Sequence, residues 1–131
     1  MKKISEQWLK AAEDDLRVIM RIVDDEYLTH MVAFHSQQCI EKSLKAIIEE
    51  YEIGHFRIHN LGRLLEIVKG HIIFEAEIDL IEKLEKLYID ARYPADLGLL
   101  PDGKPTMDDA KRFQQLAKTI YNGARSLLEN R

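Results

Sequence analysis

The stretch FHSQQCIEKSLKAIIEEY, residues 34–51, decides the fold because it carries two helical faces at once. One face is apolar at helical spacing and continues from Ala33 through Ile40, Leu44, Ile47 and Tyr51. The second face has the same spacing but is polar: His35, Gln38, Lys42, Lys45 and Glu49. We predict a helix from Leu28 to Tyr51, with its apolar face in the core and its polar face free for another role.

A second amphipathic segment lies on the N-terminal side of this helix. It is predicted to run from Ser5, as the N-cap, to Asp24. Its apolar residues follow spacings of three and four: Leu9, Ala12, Leu16, Ile19 and Val23. We expect Trp8 of this helix to pack in the core, and the same holds for Phe113 near the other end of the chain.

Two helices are predicted after Gly54. Asn60 has the side chain of an N-cap and precedes a short helix that Gly70 closes. The fourth helix runs from Phe74 to Arg92, because Pro94 forces the residue before it out of the α region.

A loop from Ala95 to Pro105 leads to the last helix. Thr106 and Asp109 have the spacing of a capping box, and the helix they start continues almost to the C-terminus. Four long helices and one short one can bury their apolar faces only against one another. The sequence therefore predicts an all-α fold, an antiparallel helical bundle that forms a single domain over residues 1–131.

Composition limits the classes of function. The net charge of −4 argues weakly against a large phosphate-binding surface, although 19 basic residues leave room for a local patch. A single cysteine, Cys39, excludes an intrachain disulfide, fits a reducing compartment and is predicted to be a buried, inert thiol. No run approaches the roughly 20 apolar residues that span a bilayer, so we expect a cytoplasmic protein without membrane contact.

The common motifs of catalysis and metal binding are missing from the sequence. It has no Gly-rich phosphate loop, no His-Glu-x-x-His pair and no Cys-x-x-Cys pair. His55 and His59 flank three loop residues, but no carboxylate or thiolate at useful spacing supports a metal there. We expect no cofactor and no metal.

Several segments, in order and along nearly the whole chain, resemble the HEPN (higher eukaryotes and prokaryotes nucleotide-binding) family. The most specific is residues 34–46; the others are residues 8–16, His59-Asn60-Leu61 with Leu64, residues 90–94, and Thr106 with Asp109-Ala110. The resemblance implies a helical bundle that is commonly a dimer. It also implies a small nucleotidyltransferase as a partner, in some cases within a toxin–antitoxin pair.

Some HEPN proteins are toxins that cut RNA with an Arg followed, after four to six residues, by a His at the dimer interface. Arg92 stands where that arginine is expected, but residues 93–101 contain no histidine. Cleavage without a metal needs a group that moves a proton as well as a cation. Tyr93 and Asp96 are poorly matched to proton transfer at neutral pH. We therefore predict a non-catalytic binding module; the alternative is a metal-independent RNase toxin with a non-standard site at Arg92, Tyr93 and Asp96.

Two interpretations of the polar face of this helix stay open. It could bind a nucleotide, with six residues as candidates: His35, Gln38, Lys42, Lys45, Arg92 and Tyr93. It could instead be a solvated helix face on which Glu41 and Glu49 pair with Lys45, while Arg92 caps its own helix. A third hypothesis is an interaction scaffold whose groove binds nothing small.

A homodimer is predicted from apolar residues that fall outside the main faces of the first two helices. They are Val18, Ile22, Met31, Phe34 and Ile48. One bundle is not expected to cover all of them, and an uncovered apolar patch usually marks an interface. A two-fold dimer is the commonest way to cover such a patch.

Overall fold

The computed structural model describes residues 1–91 and 104–130, apart from the side chains of residues 88–91. The regular structure of these residues is helical, as predicted, and no strand occurs among them. The α-helices are α1 (Lys3–Ile22), α2 (Thr29–Glu50), α3 (Leu61–Val68), α4 (Ile78–Ala91) and α5 (Met107–Glu129), and a short 3-10 helix (Glu26–Leu28) joins α1 to α2. None of these described helices is both long enough and apolar enough to traverse a bilayer.

The central element of the bundle is α2, which packs against each of the other four helices. Two contacts show that its neighbour α1 runs antiparallel to it. The Lys2 backbone N–H, just before α1, donates at 2.7 Å to Oε1 of Glu50, the last residue of α2. Asp15, further along α1, contacts His35, near the start of α2. Every residue of α2 is buried or half-buried. The expectation that its polar face would be free is therefore wrong: four neighbouring helices leave no fully exposed side.

The apolar faces predicted from the sequence form the core. Ala12, Ile19, Ile40, Leu44 and Ile47 are all fully buried. The ring of Trp8 packs against this core without being fully covered, and Phe113 of α5 lies inside it, also fully buried. The arrangement confirms the predicted all-α bundle.

The N-terminus of α1 differs from the prediction. The helix begins at Lys3, so Ser5 is a buried residue inside it and is not the N-cap. Lys2 occupies the cap position without a side-chain hydrogen bond, and its backbone N–H is bound by Glu50 of α2. A contact from a distant residue thus replaces the local cap that the sequence suggested.

The start of α4 also differs. It begins at Ile78 and not at Phe74, and its described part has 14 residues, up to Ala91. Phe74 lies in the preceding connection and packs against α5 at Gly123, where a Cβ atom would come within 2.6 Å of the ring. The missing side chain of Gly123 makes room for Phe74. The predicted helix end at Arg92 and most of the predicted loop from Ala95 to Pro105 lie outside the described residues.

Two helix starts agree with the sequence. The Asn60 side chain accepts a hydrogen bond from the Arg63 backbone N–H at 2.8 Å and so caps α3. Thr106 accepts from the Asp109 N–H at 3.0 Å, while Asp109 accepts from the Thr106 N–H at 3.2 Å. The predicted capping box is confirmed.

Candidate functional site

A buried carboxylate of α1 organises the first half of the polar face of α2. Asp15 is only 6% exposed, because it follows Ala12 by three positions and precedes Ile19 by four within the apolar face. Its Oδ2 accepts from Lys42 Nζ at 2.9 Å, and its Oδ1 lies 2.9 Å from His35 Nδ1. Two of the predicted nucleotide ligands are therefore bound to one carboxylate of the same chain.

A second buried carboxylate, Glu41, organises the other half. Lys45 Nζ donates to its Oε2 at 3.0 Å, and His59 Nδ1 lies 3.1 Å from its Oε1. Gln37 Nε2 also donates to Glu41, at 3.2 Å, while Gln38 Nε2 donates to the Gln37 side chain at 2.8 Å. We call these residues the α2 polar network: Asp15, His35, Gln37, Gln38, Glu41, Lys42, Lys45 and His59.

The charges of this network compensate one another. Two carboxylates face two ammonium groups, and both carboxylates are nearly excluded from water. A buried carboxylate is tolerated when a cation and hydrogen bonds satisfy it, as they do here. A carboxylate only accepts hydrogen bonds, so Nδ1 of His35 and of His59 carries the proton in these contacts.

A small cavity lies at the Lys45 end of the network. Its volume is about 320 Å³, and its walls include Trp8, Lys45, Phe56 and Arg57. Lys45 Nζ lies 5.6 Å from the centre of the Trp8 ring, within cation–π range. Arg57 is exposed, and no ion pair to it occurs among the described residues. The cavity therefore combines two aromatic walls with two cations and one carboxylate, Glu49.

Sequence reasoning missed the role of Asp15 and did not single out Phe56 or Arg57 as site residues. The signal for Asp15 was available, since an acidic residue at helical spacing inside an apolar face must be buried and therefore needs a cation. Phe56 and Arg57 lie in a connection without periodicity, and only the packing of the chain places them beside Lys45.

The thiol of Cys39 takes no part in this chemistry. The residue is fully buried, which confirms the sequence prediction. Burial, with a smaller effect of the Asp15 charge, raises the pKa of the thiol to about 12. At neutral pH the group is a protonated, unreactive thiol.

Comparison with known proteins gives the family. The family model described as HEPN domain matches residues 5–127, nearly the whole chain. The chain belongs to the HEPN family. The segments that resemble HEPN proteins thus include the helix that carries the α2 polar network.

Two similar proteins match almost the whole chain. The chain is 27% identical to "Putative toxin MJ1304" of Methanocaldococcus jannaschii over 98% of its own length and 91% of that protein. It is also similar to the crystal structure of ST0689, an archaeal HEPN homologue, with a TM-score of 0.67 and 27% identity. That similarity covers 96% of this chain and 98% of the other. Both relatives match along almost their entire lengths.

The predicted site residues divide into two groups in this HEPN domain. His35, Gln38, Lys42 and Lys45 lie together in the α2 polar network, as the helical spacing required. Arg92, Tyr93 and Asp96 lie outside the described residues. The nucleotide-binding roles predicted for Arg92 and Tyr93, and the site of the RNase alternative, therefore stay predictions.

Proposed function

We propose that this HEPN domain acts by binding and not by cutting RNA. In this proposal it forms a homodimer and binds a small nucleotidyltransferase, as one half of a toxin–antitoxin pair. The carrying observation is that Lys42 and Lys45 already hold buried carboxylates at 2.9 and 3.0 Å. A nucleotide phosphate would have to displace Asp15 and Glu41 from these lysines, whereas a protein partner would not.

Two further observations support the proposal. The M. jannaschii relative is named a putative toxin, which favours a toxin–antitoxin context for this chain. Residues 93–101 contain no histidine, so the Arg-and-His pair of the RNA-cutting HEPN proteins is incomplete. A binding role needs neither a proton-transfer group nor a metal.

The dimer face is proposed on the α1–α2 pair, beside the contact between Asp15 and His35. Val18 and Ile22 follow Asp15 at helical spacing, and Met31 precedes His35 by four positions. Val18 is 38% exposed. Phe34 stands edge-on to His35 with ring centres 5.2 Å apart, so the apolar residues adjoin the α2 polar network. Ile48 is only 3% exposed and lies in the core, which removes it from the predicted patch.

Size-exclusion chromatography with light scattering tests the dimer. Val18→Asp should convert a dimer to a monomer, because it places a charge in the apolar face. Ile4→Asp is the matched control: Ile4 is another exposed apolar residue of α1, at 44%, and lies near the opposite end of the helix. A monomeric wild-type protein, or equal effects of the two substitutions, contradicts the proposed interface.

Co-expression with a small nucleotidyltransferase from the neighbourhood of this chain's gene tests the partner. We expect the two proteins to co-purify through an affinity tag on either one. Failure to form a complex in both tag arrangements contradicts this part of the proposal. It does not bear on the proposed homodimer.

Nucleotide binding is a second candidate, favoured by the cavity that joins Trp8 and Phe56 to Lys45 and Arg57. Aromatic walls stack bases, and cations hold phosphates. A thermal-shift screen of nucleoside mono-, di- and triphosphates tests it. A concentration-dependent rise in Tm that Arg57→Ala abolishes establishes this candidate. No shift with any nucleotide rejects it.

RNA cleavage is the outcome that overturns the non-catalytic proposal. The purified chain is incubated with total RNA and with tRNA beside an Arg92→Ala variant. We expect no cleavage by either protein. Cleavage by the wild-type chain that the substitution abolishes establishes the RNase alternative.

A further inference from the structure

A groove lies between α3 and α4, in a part of the bundle that the α2 polar network does not use. Its volume is about 590 Å³, within the range of binding clefts. Leu65 of α3, Ile72 and Phe74 of the connection, and Ile81 of α4 supply apolar walls. We call this feature the α3–α4 groove.

Two isoleucines at this groove are far more exposed than is usual for large apolar side chains. Ile73 is 80% exposed and Ile78 is 71% exposed, and both line the groove. Single exposed apolar residues are normal, but two beside an apolar cleft form a continuous surface for another molecule.

The charge around the groove is acidic. Glu66, Glu82 and Glu85 line it, against one cation, Lys69. Lys69 Nζ lies 2.7 Å from Glu66 Oε2, so that ammonium is already compensated. Glu82 is exposed, and no ion pair or hydrogen bond to it occurs among the described residues. An occupant of complementary charge is therefore cationic.

The groove is held open by contacts that do not depend on an occupant. Glu85 accepts the backbone N–H of Leu61, that of Gly62 at 3.2 Å and the Asn60 side-chain amide at 3.1 Å, which ties α4 to the start of α3. On the other side, Phe74 fills the space above Gly123. A preformed groove binds without the cost of ordering its walls.

We propose that the α3–α4 groove binds a basic amphipathic segment of a partner protein. The apolar side of that segment contacts Leu65, Ile73 and Ile78, while its Lys or Arg residues face Glu82 and the neighbouring carboxylates. Helices with one apolar face and one charged face dock in grooves of this kind. The proposal shares with the proposed function the premise that this chain binds proteins, but it uses a separate surface.

The test uses the full chain and a fluorescein-labelled synthetic peptide of about 15 residues, long enough for a helix. The peptide carries Leu at positions i, i+3, i+4 and i+7 and Lys or Arg elsewhere. We expect saturable binding by fluorescence anisotropy. A peptide of the same composition in scrambled order, and one with Glu in place of the basic residues, should bind at least about tenfold more weakly.

Variants assign the binding to the groove. The double substitution Ile73→Ser and Ile78→Ser should weaken peptide binding about tenfold, and Glu82→Lys about threefold to tenfold. Met20→Ser is the matched control, since Met20 is 63% exposed on α1, and it should leave binding unchanged. Circular dichroism shows whether each variant retains its helices.

Three results of the binding experiments overturn the inference. They are equal binding of the basic and acidic peptides, no binding of any peptide, and equal weakening by Met20→Ser and the isoleucine variants. A shift of the wild-type oligomer to monomer by the isoleucine variants shows that a second copy occupies the groove, which also overturns it. Loss of the dimer by Val18→Asp with peptide binding intact separates this inference from the proposed function.

Discussion

The α2 polar network and the α3–α4 groove use the same residue types in opposite ways. In the network, Asp15 and Glu41 are each 6% exposed and each holds a lysine. In the groove, Glu82 is exposed and has no described partner, beside isoleucines that are 80% and 71% exposed. The charges of the network are paired within the chain, whereas the groove, as far as the chain is described, has an unpaired carboxylate and exposed apolar surface.

The difference separates groups that stabilise the domain from groups that are available to a partner. A buried, paired carboxylate is costly to disturb, because removing one member leaves the other charge without compensation. An exposed glutamate contributes little to stability, because water already solvates it. Substitutions in the network should therefore act on folding, and substitutions in the groove on binding.

The largest effect is expected for Asp15→Ala. The change leaves Lys42 and His35 without their carboxylate in a largely buried place, and we expect it to lower the free energy of unfolding by about 3 kcal/mol. Urea denaturation followed by circular dichroism measures this. Asp14→Ala is the matched control, because Asp14 is exposed and pairs only with Lys10, at 3.4 Å among the described contacts. It should change the free energy by less than about 0.5 kcal/mol.

A double variant sharpens this prediction. Asp15→Ala combined with Lys42→Met removes the unpaired ammonium that the single variant leaves behind, so it should recover part of the stability lost by Asp15→Ala. If the double variant is as unstable as the single one, an unpaired lysine is not the cause of the loss.

The second prediction compares two glutamates of the groove that have different partners. Glu85→Ala removes the acceptor for three donors at the start of α3. It should lower the free energy of unfolding by about 1.5 kcal/mol. Glu82→Ala should leave the urea midpoint unchanged. The same denaturation experiment measures both, and equal effects would mean that Glu85 does not tie α4 to α3.

The third prediction concerns Asp109, which receives Lys83 of α4 at 3.0 Å and closes the capping box of α5. Burial alone would raise the pKa of Asp109, but the hydrogen bonds from Lys83 and Thr106 outweigh it, and the net effect lowers the pKa. A carboxyl with a lowered folded-state pKa stabilises the fold above the unfolded-state value of about 3.9. This contribution is lost as the pH falls through the lower folded-state pKa.

Asp109→Asn tests that pH dependence. We expect the free energy of unfolding to fall by about 1 kcal/mol at pH 7. The difference from wild type should narrow as the pH falls below the unfolded-state value of about 3.9 and through the lower folded-state pKa. Asp108→Asn, at an exposed position one residue away, should follow the wild-type curve more closely. A constant difference at all pH values contradicts a role for the Asp109 charge.

The smallest effect on stability is expected for Lys69→Ala, which removes the only cation that lines the described groove. Its ion pair with Glu66 is exposed on both sides, so the urea midpoint should stay unchanged. Binding of the basic peptide should tighten about twofold, because the groove becomes more acidic. Weaker binding would contradict the proposed charge complementarity.

The sequence predicts the elements whose causes are local. The starts of α3 and α5 depend on Asn60 and on the pair Thr106 and Asp109, which lie within three residues of the groups they bind. Periodicity likewise finds the apolar faces of α1, α2 and α5, since burial repeats with the helical turn. These features need no knowledge of the tertiary structure.

The errors have causes that are distant in sequence. Ser5 is not the cap of α1, because Glu50 binds the Lys2 N–H from 48 residues away. Phe74 has the spacing of a helical residue relative to Ile78 and Ile81. It lies outside the helix, however, and its ring packs in the space that Gly123 of α5 leaves free. In the site, the lysines were found by their spacing, whereas their partner Asp15 and the cavity residue Arg57 come from other segments.

Through the contact between Phe74 and Gly123, the C-terminal helix α5 affects the shape of the α3–α4 groove without lining it. No residue of α5 is among the walls of the α3–α4 groove, yet the absence of one side chain on α5 sets how deeply the connection before α4 can sit. Adding a methyl group at position 123 would push the ring outward and reshape the groove at a distance. Selection can thus alter which partner fits without changing a single wall residue.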